Sequence, residues 1–156
     1  MRGLSFFVEQ ELYIVDVNCV MKVVRNIAIT PVPAVSDAVI GIVNLKGIVI
    51  TVLSLPTLIG QKQIRDPDNT NLINAVIFKP LSDSSDQMGL MIDAPGELIS
   101  IHEDDIQSHP MKTVYEEGQI ISALASANGM IYRIVDIASI INRFSDSGAH
   151  NTTGGV

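Results

Sequence analysis

Val39-Ile40-Gly41-Ile42-Val43-Asn44-Leu45-Lys46-Gly47-Ile48-Val49-Ile50-Thr51-Val52-Leu53-Ser54-Leu55 is the stretch from which the fold is read. Two runs dominated by Val, Ile and Leu flank the dipeptide Lys46-Gly47. β-Branched side chains pack well on a pleated surface and are stiff in a helix, while glycine admits the backbone of a tight reversal. The stretch therefore predicts strand, turn and strand. Ser54 suits a helix N-cap and Pro56 the first turn that follows it, so the second strand is expected to run into a short helical piece.

The same rhythm continues outward. Apolar segments of strand length recur at 4–8, 12–17, 39–45, 48–55, 72–78, 88–92, 120–125 and 130–135, which is an all-β pattern. Asn128-Gly129, between two of these runs, is the dipeptide that most readily takes positive φ at both turn positions, and it predicts a second hairpin. Setting residues 47–55 against 129–137 aligns a turn glycine, an apolar strand and a capping Ser54 or Asp136; the latter opens a C-terminal helix through Phe144. A fainter echo relates 19–24 to 94–99. Two related lobes follow, each a small sheet closed into a barrel to remove its edges. The polar segment 61–71 reads as their boundary, and the small, glycine-rich tail 145–156 as disordered.

Composition narrows the function. The 156 residues are 47% hydrophobic but only 4% aromatic, with no Trp, so the core is aliphatic. A net charge of −7 without a Lys/Arg cluster excludes a nucleic-acid backbone as partner. Cys19 cannot pair within the chain, which suits a reducing compartment, and it reads as a small buried hydrophobe. The apolar start is cut off at Glu9, too short for a signal peptide, and no run approaches a bilayer's thickness. The chain is expected in the cytoplasm, with no membrane insertion.

Catalytic constellations are missing from the sequence. There is no Gly-x-Ser-x-Gly elbow, phosphate-binding glycine loop or nucleophile beside a base. His102, Glu103, Asp105 and His109 are metal-ligand types and define one enzyme reading, a small metal-dependent hydrolase, but their spacing matches no known site; a solvated acidic loop explains them better. Asp16, Asp93 and Asp136 lie at strand ends, where short carboxylates satisfy backbone donors. Binding without a cofactor or metal is the expected activity.

Ile29-Thr30-Pro31-Val32-Pro33 followed by residues 39–55 resembles the signature of the CheW-like adaptor domain of bacterial and archaeal chemotaxis: a T-P-x-P segment, then G-x-x-N-L-R-G, then an apolar strand ending in Asp-Leu. The resemblance spans 1–144 as a single domain. It implies two five-stranded SH3-like barrels side by side with a short C-terminal helix, and a hydrophobic groove between them. It also implies an adaptor that couples the chemoreceptor cytoplasmic hairpin to the regulatory domain of a CheA-type histidine kinase, at receptor arrays and without a cofactor. By position, Val20, Met21 and Val23 would line or border the receptor groove, with Gly41 and Asn44 at its rim; Val20 and Val23 read equally well as core. Lys22 and Lys46 stand where the family has Glu and Arg, so the family's opposite-charge pair is replaced by two cations and kinase activation is in question. A scaffold that occupies array sites without activating, or the remnant of a coupling protein that has lost a receiver domain, are the alternative forms of this reading.

Overall fold

Three hairpins reverse through pairs of residues that both hold positive φ: Glu9 and Gln10 (50° and 69°), Lys46 and Gly47 (53° and 87°), and Asn128 and Gly129 (54° and 76°). Two such residues in succession give the turn whose twist matches that of the strands it joins. The first pair has no glycine, and its backbone is held from outside, with the Glu9 amide donating to Asp93 Oδ2 at 2.6 Å. The computed structural model describes residues 1–33, 36–61, 71–81, 87–108 and 120–144; the tail 145–156 lies outside them.

Eleven strands are described: β1 (Arg2–Val8), β2 (Glu11–Asp16), β3 (Val20–Ala28), β4 (Val39–Leu45), β5 (Ile48–Leu53), β6 (Leu72–Phe78), β7 (Met88–Ile92), β8 (Ala94–Ser100), β9 (Ile106–Ser108), β10 (Ile121–Ala127) and β11 (Met130–Val135). They form one sheet of order β8-β1-β2-β11-β10-β9 and another of order β3-β6-β7-β5-β4. Without β9 the two orders are the same path. β11 runs parallel to β2 in one lobe as β5 runs parallel to β7 in the other. The sequence repeat is therefore a structural one, and β3 and β8, which share the fainter echo, hold equivalent places. The five-stranded sheet closes where Thr30 and Ile42 exchange backbone hydrogen bonds of 2.8 and 2.9 Å. The other lobe has six strands rather than five, and its ends β8 and β9 are joined by the chain instead of by a ladder.

The lobe boundary is not at 61–71. Strands on both sides of that segment, β5 and β6, belong to the five-stranded sheet; residues 62–70 themselves lie outside the described set. The chain instead enters this lobe through Val17–Cys19 and leaves it at Asp93, which takes a hydrogen bond from Asn74 Nδ2 on its carbonyl and donates its own amide to Phe7. α1 (Leu55–Leu58) is capped by Ser54 Oγ, and α2, helical over 137–144, by Asp136, which accepts from the Ser139 amide at 3.2 Å.

Packing explains why the strands read as unbroken apolar runs. Tyr13 and Val15 face a central core while Ile14, between them, faces the six-stranded lobe's interior; Val76 and Phe78 face the same central core while Ala75 and Ile77 face the other interior. Strands buried on both faces lose the alternation of a half-exposed sheet. The central core also takes Leu55, Leu58, Ile137, Ile140 and Ile141 from the two helices.

Because Leu90 is fully buried in this shared core, Leu90→Ala should cost about 2–5 kcal/mol. Urea unfolding should remain a single transition, since both lobes lose the same contacts; two separated transitions would contradict a shared core. At Gly41 an added Cβ would strike the Thr30 carbonyl oxygen and sit 3.0 Å from Ile29 Cγ1. Thr30 belongs to the closing bridge, so Gly41→Ala should lower the urea midpoint by the equivalent of roughly 1–3 kcal/mol.

Candidate functional site

β3 is an end strand of the five-stranded sheet, paired only with β6 along its length. Its register slips twice, between Val20 and Lys22 and between Val24 and Ile27. At the second slip Asn26 takes φ 53° and donates its amide to Asn74 Oδ1 at 3.0 Å. Bulges of this kind turn side chains out of the regular alternation. The result is a strand on which Met21, Lys22, Arg25 and Asn26 are all exposed, while Val24 is buried in the barrel interior.

The seven residues singled out from the sequence fall into three groups. Val20 and Val23 are half-buried and pack against the central core. Gly41 is buried beneath Thr30, and Asn44 Oδ1 accepts the Gly47 amide at 2.8 Å; one lets the barrel close and the other fixes its turn. Met21, Lys22 and Lys46 present side chains to solvent. Among the described residues a central core lies between the lobes, and an open cleft of about 440 Å³ lies on the six-stranded lobe, lined by Phe7, Leu12, Glu97, Ile99, Met130 and Tyr132. None of the seven lines it.

Lys22 is opposite Ile77 on β6, and Lys46 stands in the β4–β5 turn; both are exposed. Among the described residues neither forms an ion pair.

Arg25 was not apparent in the sequence, nor were the exposed pairs Ile48–Val49 (48% and 56%) and Met130–Ile131 (48% and 65%). Each pair directly follows a hairpin turn, at equivalent places in the two lobes. The alignment of Gly47 with Gly129 carried that signal.

Asp16 accepts the Asn18 amide at 2.9 Å, and with Asp93 and Asp136 it fills the capping role expected of it. His102 Nδ1 lies 3.8 Å from Asp104 Oδ2, both almost fully exposed, and His109 is outside the described residues. Among the described residues no group of three or more His, Cys, Asp or Glu could hold a metal ion. No helix of the described residues is long and apolar enough to cross a membrane.

A family profile described as a CheW-like domain matches residues 2–145. The chemotaxis protein CheW of Bacillus subtilis is 22% identical over 148 residues, covering 95% of this chain and 91% of that protein. That of Helicobacter pylori is 24% identical over 144 residues, covering 92% and 82%. The crystal structure of the scaffolding protein TtCheW from Thermoanaerobacter tengcongensis superposes with a TM-score of 0.71 at 26% identity, covering 86% of this chain and 88% of that one.

Cys19, half-buried beside the β3 start, has its thiol pushed above the usual range first by burial and then by the carboxylates of Asp16 and Asp136. The thiolate is the nucleophile, so alkylation by iodoacetamide at about pH 8 should be slower than that of an unfolded Cys19 peptide. The fold holds the proton more tightly than the unfolded chain does, so this contribution to stability is complete below the unfolded thiol's pKa, about 8.5, and is lost as pH rises past it. Reaction at the peptide's rate would show that the thiol is open to solvent.

Proposed function

Since the chain belongs to the CheW-like domain family, we propose that it is a chemotaxis adaptor, with residues 1–144 acting as one domain that couples a chemoreceptor cytoplasmic hairpin to the regulatory domain of a CheA-type histidine kinase. The carrying observation is the family match over 2–145 on a two-lobed fold that superposes on a CheW scaffolding protein. The adaptor acts in the cytoplasm, at receptor arrays, by surface contact without catalysis. Two partners held on one rigid body meet at a raised effective concentration, and a coupler needs nothing more.

On this reading β3 and the β4–β5 turn form the receptor-side surface. Met21, 40% exposed on an end strand, supplies apolar contact. Val20 and Val23 brace that strand from beneath, and Gly41 and Asn44 shape the rim on which Lys46 stands.

Purified chain should bind the regulatory domain of at least one CheA-type kinase and a stabilised receptor hairpin, as measured by calorimetry. Met21→Asp should weaken the hairpin at least about tenfold, because a carboxylate would be desolvated against an apolar helix face, and should leave the kinase affinity unchanged. Failure to bind any kinase regulatory domain and any hairpin would overturn the adaptor reading.

A further inference from the structure

The two lobes follow one strand path but differ in how their interiors are filled. With Gly47 set on Gly129, β10 has Ala125 and Ala127 where β4 has Val43 and Leu45, and all four belong to the interior clusters of their lobes. The six-stranded lobe is thus short of side-chain volume next to the Asn128-Gly129 turn, and the open cleft of about 440 Å³ reaches that turn, with Asn128 in its lining. Phe7, Leu12, Ile99, Met130 and Tyr132 give it apolar walls, of which Phe7 and Met130 are 39% and 48% exposed. Glu97 is the one charged residue of the lining. Its backbone is clamped, the amide donating to Ser5 Oγ at 2.8 Å and the carbonyl accepting from that hydroxyl at 3.2 Å, while its carboxylate has no hydrogen bond or ion pair among the described residues. Asp93, directly before β8, and Glu9, in the turn after β1, add two carboxylates at the Phe7 end of these strands, where Asp93 Oδ2 accepts the Glu9 amide at 2.6 Å. No Lys or Arg lines the cleft. Arg133, beside Tyr132 in sequence, lies on the other face of β11, 6.0 Å from the centre of the Tyr13 ring and 3.9 Å from Glu11.

We propose that this cleft is a second docking site, which takes a basic peptide segment of a partner protein: one or two large apolar side chains enter between Phe7, Met130 and Tyr132, and a Lys or Arg beside them in the segment pairs with Glu97. The inference goes beyond the adaptor reading, since the cleft is on the other lobe from β3 and asks for a further partner. Size sets the mode of entry. A cleft of this volume lies within the roughly 300–1,000 Å³ of compact ligand sites, so it accepts side chains rather than a whole helix about 10–12 Å thick. Charge sets the sign. An apolar group laid over Glu97 strips water from its carboxylate, which is tolerated only if a cation comes with it. An acidic segment would meet Glu97 with Glu9 and Asp93 close behind, and the residues outside 17–92, four Lys and Arg against twelve Asp and Glu, attract a cation before contact. The rings of Phe7 and Tyr132 favour the same cation over their faces.

The test titrates the full chain with short synthetic Gly/Ser peptides that carry a central Leu-Phe-Lys, Leu-Phe-Glu or Ser-Ser-Lys, and follows backbone amide signals by NMR. The Leu-Phe-Lys peptide should shift the signals of residues 5–12, 95–99 and 128–132 and bind at least about tenfold more tightly than either of the others. Glu97→Lys and Phe7→Ser, their urea midpoints first shown to match wild type, should each weaken it at least about tenfold. Asp104→Lys makes the same change of net charge at an exposed position outside the cleft and should leave the affinity within about twofold of wild type, because exposed charges at a distance are screened. Equal binding of the Lys and Glu peptides, an equal loss in Asp104→Lys and Glu97→Lys, shifts confined to other residues, or no binding at all would overturn the inference. Each of these results leaves the adaptor reading untouched, since that is decided by kinase and hairpin binding.

Discussion

The aliphatic core shared by the two lobes is the constraint on which the rest depends. Neither sheet is large, and the six-stranded one encloses a loosely covered interior in which Ala123 and Ile134 each retain 9% exposure. What makes each sheet stable is its second buried face, where Phe6, Tyr13, Leu53, Phe78 and Leu90 meet with less than 2% exposure each. With few aromatics and no Trp, that interface is filled by branched aliphatic side chains, which pack densely only if strand register is held. The positive-φ turns, the Asp93 crossing and the capped helices all serve to hold it.

This arrangement also decides what is left for binding. Because the inter-lobe faces are consumed by the core, the barrel rims and strand ends are what remains exposed. Exposed apolar residues lie on β3 at Met21 and just past the turns at Gly47 and Gly129, and also at Phe7, Leu72, Leu81 and Leu98. The half-burial of Val20 and Val23 follows from the same geometry, since β3 borders the shared core with one face and solvent with its edge.

Much of the fold was legible because double burial leaves a strong trace. Strands such as 39–45, 72–78, 88–92 and 130–135 are predominantly apolar runs bounded by turn residues, and their limits are those observed. β3 and β8 were seen only as a faint echo. Lys22, Arg25 and Asn26 break up the one, and Pro95 and Gly96 the other; both are tolerated because these strands pair along one side only. At β8 the irregularity is repaired locally, with Ser5 Oγ accepting the Glu97 amide at 2.8 Å. The lobe boundary was misplaced for a related reason. The chain crosses between lobes at 17–19 and 93, where neither proline nor glycine marks it, while the most conspicuously polar segment merely joins α1 to β6. Of the candidate site, the residue types were legible but not their depth: nothing local separates Met21, exposed, from Val23, half-buried.

Internal duplication gives the fold two similar barrels, and two similar barrels would present a partner with two similar rims. A coupler gains nothing from that symmetry, because each partner must find one place. Shape alone discriminates weakly between rims built on the same strand path, each ending in a turn followed by two exposed apolar residues. Charge discriminates well, since it costs no rearrangement of the core and acts at a distance before contact. Residues 17–92 carry six Lys and Arg against five Asp and Glu, and the rest of the chain four against twelve; this difference of nine charges along the sequence breaks the duplication, with Lys22 and Lys46 part of it.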